Sequence, residues 1–109
     1  MSEKIKHLDD SNFADETASG VTLVDFYADW CGPCRMMTPV VEEFADKKTG
    51  EISVVKVDID ASPSVTQQFQ VTSIPTLVLL KEGKPIANYV GLKDLPQLEE
   101  LVKNSLENA

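Results

Sequence analysis

An α/β fold, a mixed sheet with helices on both faces, is predicted by three features of the sequence. Extended and helical periodicities alternate along the chain. The run Val21–Tyr27 is apolar on both faces, as a strand covered on each side must be. The segments Thr76–Leu80 and Ile86–Val90 flank Lys81-Glu82-Gly83-Lys84-Pro85, a turn length suited to an antiparallel hairpin. With 109 residues, 42% hydrophobic and 26% charged, the chain is long enough for one compact domain over residues 1–109 and too short for two. It carries no internal repeat, low-complexity run or linker.

Taken in order, a short extended start leads into Leu8–Gly20, where Asp9, Asp10 and Ser11 are candidate N-caps for a helix that turns Phe13 inward and Gly20 closes the segment. Val21–Tyr27 is the central strand, and Asp25 is its one discordant residue. From Cys34 the spacing of Cys34, Met37, Val41 and Phe44 is helical, with Glu42, Glu43, Asp46 and Lys47 facing elsewhere. Pro39 lies inside this helix and predicts a kink rather than a break, because it removes one donor and crowds the Arg35 carbonyl. Lys47 and Lys48 suit the negative end of the helix, and Gly50 closes it.

A second buried strand is expected over Ile52–Ile59, again with one discordant residue, Lys56. Ser62-Pro63 pairs an N-cap with proline at the first helical position, and Val65 and Phe69 form the inward face of a short helix. After the hairpin, Asp94 and Gln97 stand in capping-box spacing at the head of a last helix that buries Leu95, Leu98, Leu101 and Val102.

The net charge of −8 sets most of the surface against phosphate backbones and anionic membranes, so neither nucleic acid nor a membrane is an expected partner. No apolar run reaches membrane-spanning length, and Met1-Ser2-Glu3-Lys4 lacks the apolar region of a signal peptide, so a cytoplasmic location is expected.

Both cysteines sit in Trp30-Cys31-Gly32-Pro33-Cys34, at the junction of the central strand and the following helix. Three chemistries use such a pair. As a structural staple it is weak, since loop entropy predicts roughly 2 kcal/mol for so short a loop against ~4.7 for a hundred residues. As a metal centre it is incomplete, because zinc or an iron–sulfur cluster wants four ligands and the chain adds only the distant His7. A second copy could complete it. The third use is a dithiol that cycles between reduced and oxidised forms, favoured in a βαβ setting and in a reducing compartment.

With that pattern in hand, the sequence resembles the thioredoxin family over nearly its whole length. The resemblance is carried by Val24-Asp25-Phe26, Trp30-Cys31-Gly32-Pro33-Cys34, Pro39, Lys56, Ile74-Pro75-Thr76, Gly83 and Val90-Gly91. It implies a five-stranded mixed sheet in the order 1-3-2-4-5 flanked by four helices, with a cis bond before Pro75. It implies a general protein-disulfide reductase in which Cys31 attacks and Cys34 resolves, the two forming the redox disulfide. Asp25 and Lys56 would assist proton movement behind them. Trp30, Gly32, Pro33, Ile59, Ile74, Pro75, Val90 and Gly91 would line a shallow substrate groove. No metal and no bound cofactor are implied. Electrons would come from NADPH through a separate thioredoxin reductase, consistent with the lack of a dinucleotide fingerprint in the chain. Disulfide-bearing proteins would be the substrates of a monomer.

Two residues depart from the family pattern: many relatives have tryptophan at Tyr27 and lysine at Arg35. Tyr27 keeps an aromatic wall but adds a hydroxyl that needs a partner; Arg35 keeps the positive charge beside Cys34. Plainer readings stand beside the functional ones. Asp25 and Lys56 suit a buried ion pair, Ile59 and Val90 suit core positions, Gly83 and Gly91 suit turns, and Pro75 suits a strand start. His7, Met36 and Met37 read as structural or surface residues. A thiol oxidase or isomerase on the same fold, and a protein-binding module that uses the groove without redox chemistry, remain the alternative functions.

Overall fold

The computed structural model describes residues 5–109, so the expectation attached to Met1-Ser2-Glu3-Lys4 lies outside the described residues. Its elements are β1 (Lys6–Leu8), α1 (Phe13–Glu16), β2 (Val21–Tyr27), α2 (Gly32–Lys47), β3 (Ser53–Asp58), α3 (Pro63–Gln68), β4 (Thr76–Lys81), β5 (Lys84–Val90) and α4 (Leu95–Glu107). The strands form one sheet in the order β1-β3-β2-β4-β5. β1, β3 and β2 run parallel, while β4 is antiparallel to β2 and β5 to β4. This is the expected α/β architecture, a thioredoxin-type five-stranded mixed sheet with four helices.

β2 is central because its sequence suits burial on both sides. Leu23 joins Leu77 and Leu79 beneath Met37, Val41 and Phe44 of α2 and Leu98 and Val102 of α4. On the opposite face Val24 and Phe26 pack with Val55, Val57, Val78 and Leu80 against Phe13 and Val65. The alternation of side chains along each strand thus feeds two apolar layers from one sheet.

Three local expectations are corrected. The first helix is a single turn with Asn12 at its N-cap, not Asp9, Asp10 or Ser11. Asp9 accepts from the Ser11 N–H and hydroxyl, and Asn12 Oδ1 accepts from the Asp9 N–H, so this segment is a knot of local bonds that competes with helix. Ser62 holds the N-cap position of α3 but its hydroxyl makes no capping bond. Instead the Asp10 carboxylate, distant in sequence, accepts from the N–H groups of Ser64 (3.2 Å) and Val65 (2.9 Å).

The hairpin turn is two residues long rather than five. Glu82 (φ 52°) and Gly83 (φ 79°) both lie in the left-handed region that a tight turn between twisted strands requires. A register shift beside Leu79 and Leu80 then accommodates Pro85 on the edge strand. As expected, α2 starts directly after Cys31, at Gly32, and runs through Pro39 without a break. In α4 the capping box of Asp94 and Gln97 forms as expected, and Leu98 and Val102 are fully buried while Leu95 and Leu101 are only partly so.

Asp10→Ala should therefore behave as the loss of a helix cap on α3. The expected cost is about 1 kcal/mol of unfolding free energy. Urea titration should show a lower midpoint with an unchanged slope.

Candidate active site

Sheet topology gathers the site. The C-terminal ends of β2, β3 and β5 and the start of β4 lie at the same end of the sheet, because Phe26 pairs with both Val57 and Thr76, and Thr76 pairs with Val90. Tyr27, Ile59, Ile74-Pro75 and Val90-Gly91 are therefore brought together although they are scattered in sequence. The Gly91 N–H donates to the Pro75 carbonyl at 2.9 Å, and the Ile74-Pro75 bond is cis.

β2 leads through Ala28 and Asp29 into the cysteine motif. Cys31 is the N-cap of α2, with extended backbone angles, and Gly32, Pro33 and Cys34 form the first turn. Pro33 suits that turn because its fixed φ is helical and a first-turn amide has no helical acceptor to lose. The Cys34 N–H donates to Cys31 Sγ at 3.1 Å. The two cysteines are joined as a disulfide with Cα atoms 5.3 Å apart, and they are 5% and 4% exposed. In this form burial does not separate them; their positions do, since Cys31 caps the helix and Cys34 lies inside it. Ala28 is buried with them, and Tyr27, Ile59 and Ile74 pack on the cluster.

Around the disulfide, Trp30 is 68% exposed and Val90 58%, and a hollow opens between Trp30, Ile59 and Ile74. Trp30 Nε1 donates to Asp60 Oδ2 at 2.8 Å, which holds the exposed ring. Pro75 is buried and Gly91 is partly exposed with φ 93°.

On β2, the strand that leads into the cysteine motif, Asp25 is 1% exposed, and neither of its carboxylate oxygens has a hydrogen-bond partner. Burial pushes its pKa up to about 6, and the Lys56 charge opposes that rise. Lys56 is the register partner of Asp25 on β3. The ion pair of the plainer reading is not formed between them. The Lys56 ammonium lies over the Tyr27 ring, 4.5 Å from its centroid, so its effect on Asp25 is through space. The Tyr27 hydroxyl, whose partner could not be named from sequence, lies 3.3 Å from His7 Nδ1.

The model of the thioredoxin family matches residues 4–104. The chain belongs to the thioredoxin family. It is 54% identical to the thioredoxin of Chlamydia muridarum over 91 residues, covering 84% of this chain and 88% of the relative. It is 46% identical to that of Staphylococcus saprophyticus and 42% identical to that of Staphylococcus aureus strain Mu50, each over 97 residues covering 89% of this chain and 93% of the relative. With the Cys31–Cys34 disulfide at the head of α2, this family membership makes the protein a thiol-disulfide oxidoreductase. Among the described residues no cluster of three or more histidine, cysteine or acidic side chains is arranged to hold a metal, and no helix is long and apolar enough to cross a membrane.

Several site contacts were invisible to sequence reasoning. Arg35 donates to the Asp29 carbonyl at 2.7 Å, bracing the loop before Cys31. Met37, expected only to pack, also accepts the Lys93 N–H on its sulfur at 3.3 Å, while Lys93 Nζ donates to the Val90 carbonyl at 2.5 Å. Together these bonds tie the Val90-Gly91 rim to α2. Each joins residues remote in sequence or uses a backbone acceptor, and so leaves no spacing signal.

The buried carboxyl predicts a pH-dependent stability. Its folded pKa of about 6 lies above the usual 3.8, so the native state holds the proton more tightly than the unfolded chain. The stability this supplies is complete below the unfolded pKa and is lost as pH rises through the folded one, a swing of about 3 kcal/mol. Asp25→Asn removes the titration. Relative to the unsubstituted protein, the variant should gain about 3 kcal/mol between about pH 3.5 and about pH 8, read by urea unfolding at each pH.

Proposed function

We propose that the protein is a general reductase of protein disulfides, acting as a single-domain cytoplasmic monomer and recycled by a thioredoxin reductase that draws electrons from NADPH. The observation that carries this reading is Cys31 at the N-cap of α2, its sulfur accepting the Cys34 N–H, with the unpartnered Asp25 carboxyl buried on the strand that leads into the motif.

In the reduced protein Cys31 is the attacking thiolate. The amide of Cys34 and the positive end of α2 stabilise its charge. It bonds to one sulfur of the substrate disulfide, and the other leaves as a thiolate. Cys34 then resolves the mixed disulfide. Its thiol gives a proton to the Asp25 carboxylate, the Cys34 thiolate attacks Cys31 Sγ, and the second substrate thiolate leaves as the Cys31–Cys34 disulfide closes. A carboxyl whose pKa is about 6 is matched to that proton transfer near neutral pH. Lys56 assists as a nearby charge.

Substrate lies along Trp30, Gly32, Pro33, Ile59, Ile74, Pro75, Val90 and Gly91. Support comes from the hollow between Trp30 and Ile74 and from the exposed Val90 at the sheet end nearest the disulfide. Backbone at Ile74 offers hydrogen bonds that read no side chain, which suits a broad range of targets.

Insulin reduction coupled to NADPH oxidation through a thioredoxin reductase should proceed with the unsubstituted protein and stop with Cys31→Ser, while Cys34→Ser should accumulate the mixed disulfide. Asp25→Ala should slow release of that mixed disulfide by about a hundredfold at neutral pH. An unchanged release rate in stopped flow removes Asp25 from the mechanism. A reduction potential of about −270 mV, the established value for thioredoxin itself, supports reductase, whereas about −180 mV points to an oxidase or isomerase.

A further inference from the structure

One row of side chains crosses the sheet beneath α2. His7 on β1 pairs in register with Lys56 on β3, and Lys56 pairs with Asp25 on β2. Tyr27, two residues beyond Asp25, projects from the same face of β2. Exposure falls along this row: His7 is exposed, Lys56 partly so and Asp25 buried. A lysine in register with a buried carboxylate on an adjacent strand is within natural reach of an ion pair, and the pair is absent. The ammonium sits instead on the Tyr27 ring, and the Tyr27 hydroxyl is engaged by His7.

We propose that Tyr27 is a positioning residue for the exchange reaction, its ring holding the Lys56 ammonium off the Asp25 carboxyl so that this carboxyl stays free to take the Cys34 proton. The inference rests on the reading of Asp25 as the base. Four observations support it. Tyr27, Cys34, Arg35 and Lys56 line one cleft, so the ring that holds the ammonium and the resolving cysteine share one opening. Burial first, then the carboxylates of Asp58, Asp29 and Asp25, hold the Tyr27 phenol above its usual range, so it remains neutral and offers Lys56 an aromatic face rather than a competing charge. Arg35, the other cation of the cleft, is engaged by the Asp29 carbonyl. Leu77, the β4 partner of Asp25, is apolar, which leaves Lys56 as the charged group facing Asp25 from a neighbouring strand.

Carboxyl-carbon NMR titration of Asp25 in the oxidised full-length protein reads this directly. In Tyr27→Leu the ammonium is released to Asp25 and the titration midpoint should fall by about one pH unit. Tyr27→Phe keeps the ring and should keep the midpoint. Tyr27→Leu combined with Lys56→Met should abolish the fall. An unmoved midpoint in Tyr27→Leu, or an equal fall in the double variant, overturns the proposal. Tyr27→Met reads the same quantity if the leucine variant does not unfold cooperatively in urea. The midpoint reports on Tyr27 and Lys56 whatever Asp25 does in turnover, whereas an unchanged release rate in Asp25→Ala condemns only the base, so the two failures are distinguishable. If both readings hold, the pH profile of mixed-disulfide release should move with the NMR midpoint across the series.

Discussion

β2 is hydrogen-bonded to a strand on each edge and covered by helices on each face, and Thr22 through Phe26 are all buried. A strand so enclosed tolerates charge poorly. Removing a carboxylate from water costs several kcal/mol unless a partner compensates, and the protein meets that cost by raising the Asp25 pKa rather than by forming an ion pair. The apolar layers on the two faces of the sheet make this tolerable. Each fully buried Leu, Val or Phe contributes about 1.5–3 kcal/mol, so two or three such residues offset the carboxyl. Central placement of β2 also decides where the chain emerges, and so where the cysteines stand.

From that emergence point the chemistry follows by short steps. Cys31 ends an extended segment and Gly32 begins a helix, which makes the sulfur a helix cap. Pro33 removes one of the first-turn amides and Cys34 supplies the one that reaches the sulfur. A hydrogen bond to a charged acceptor contributes about 1.5–3 kcal/mol, against about 0.3–1 kcal/mol for the helix dipole at an exposed end. Cys31 is 5% exposed, a setting in which the dipole reaches up to about 2 kcal/mol, so the two effects on a thiolate there are of similar size and both depend on the helix beginning where it does.

The layered α/β plan, the central strand, the cysteine motif and the capping box at Asp94 were legible because each is written in local spacing: alternation, a run, or residues three apart. What sequence left open was long-range. Asp10 stands before α1 but serves α3, since a carboxylate at a chain reversal bonds whichever amides the fold brings near. Lys56 and Asp25 were legible as discordant residues, but whether they pair was left open: sequence identifies opposite charges on adjacent strands but not that a third group, the Tyr27 ring, takes up the ammonium. The same holds for Met37, whose apolar spacing conceals a sulfur acceptor for Lys93.

A surface bearing a net charge of −8 also places the exposed apolar residues in relief. Trp30 and Val90 stand on loops or strand ends near the disulfide, and Met36 lies in α2, just past Cys34. Isolated exposed apolar side chains are ordinary on a protein surface, but these flank a reactive centre instead of being dispersed. Burying such residues against a partner is non-directional and reads area more than sequence. The acidic remainder opposes approach of strongly acidic partners in any other orientation. Contact at this end of the sheet is thereby favoured by apolar area more than by charge. That property agrees with the proposed reduction of many different disulfides.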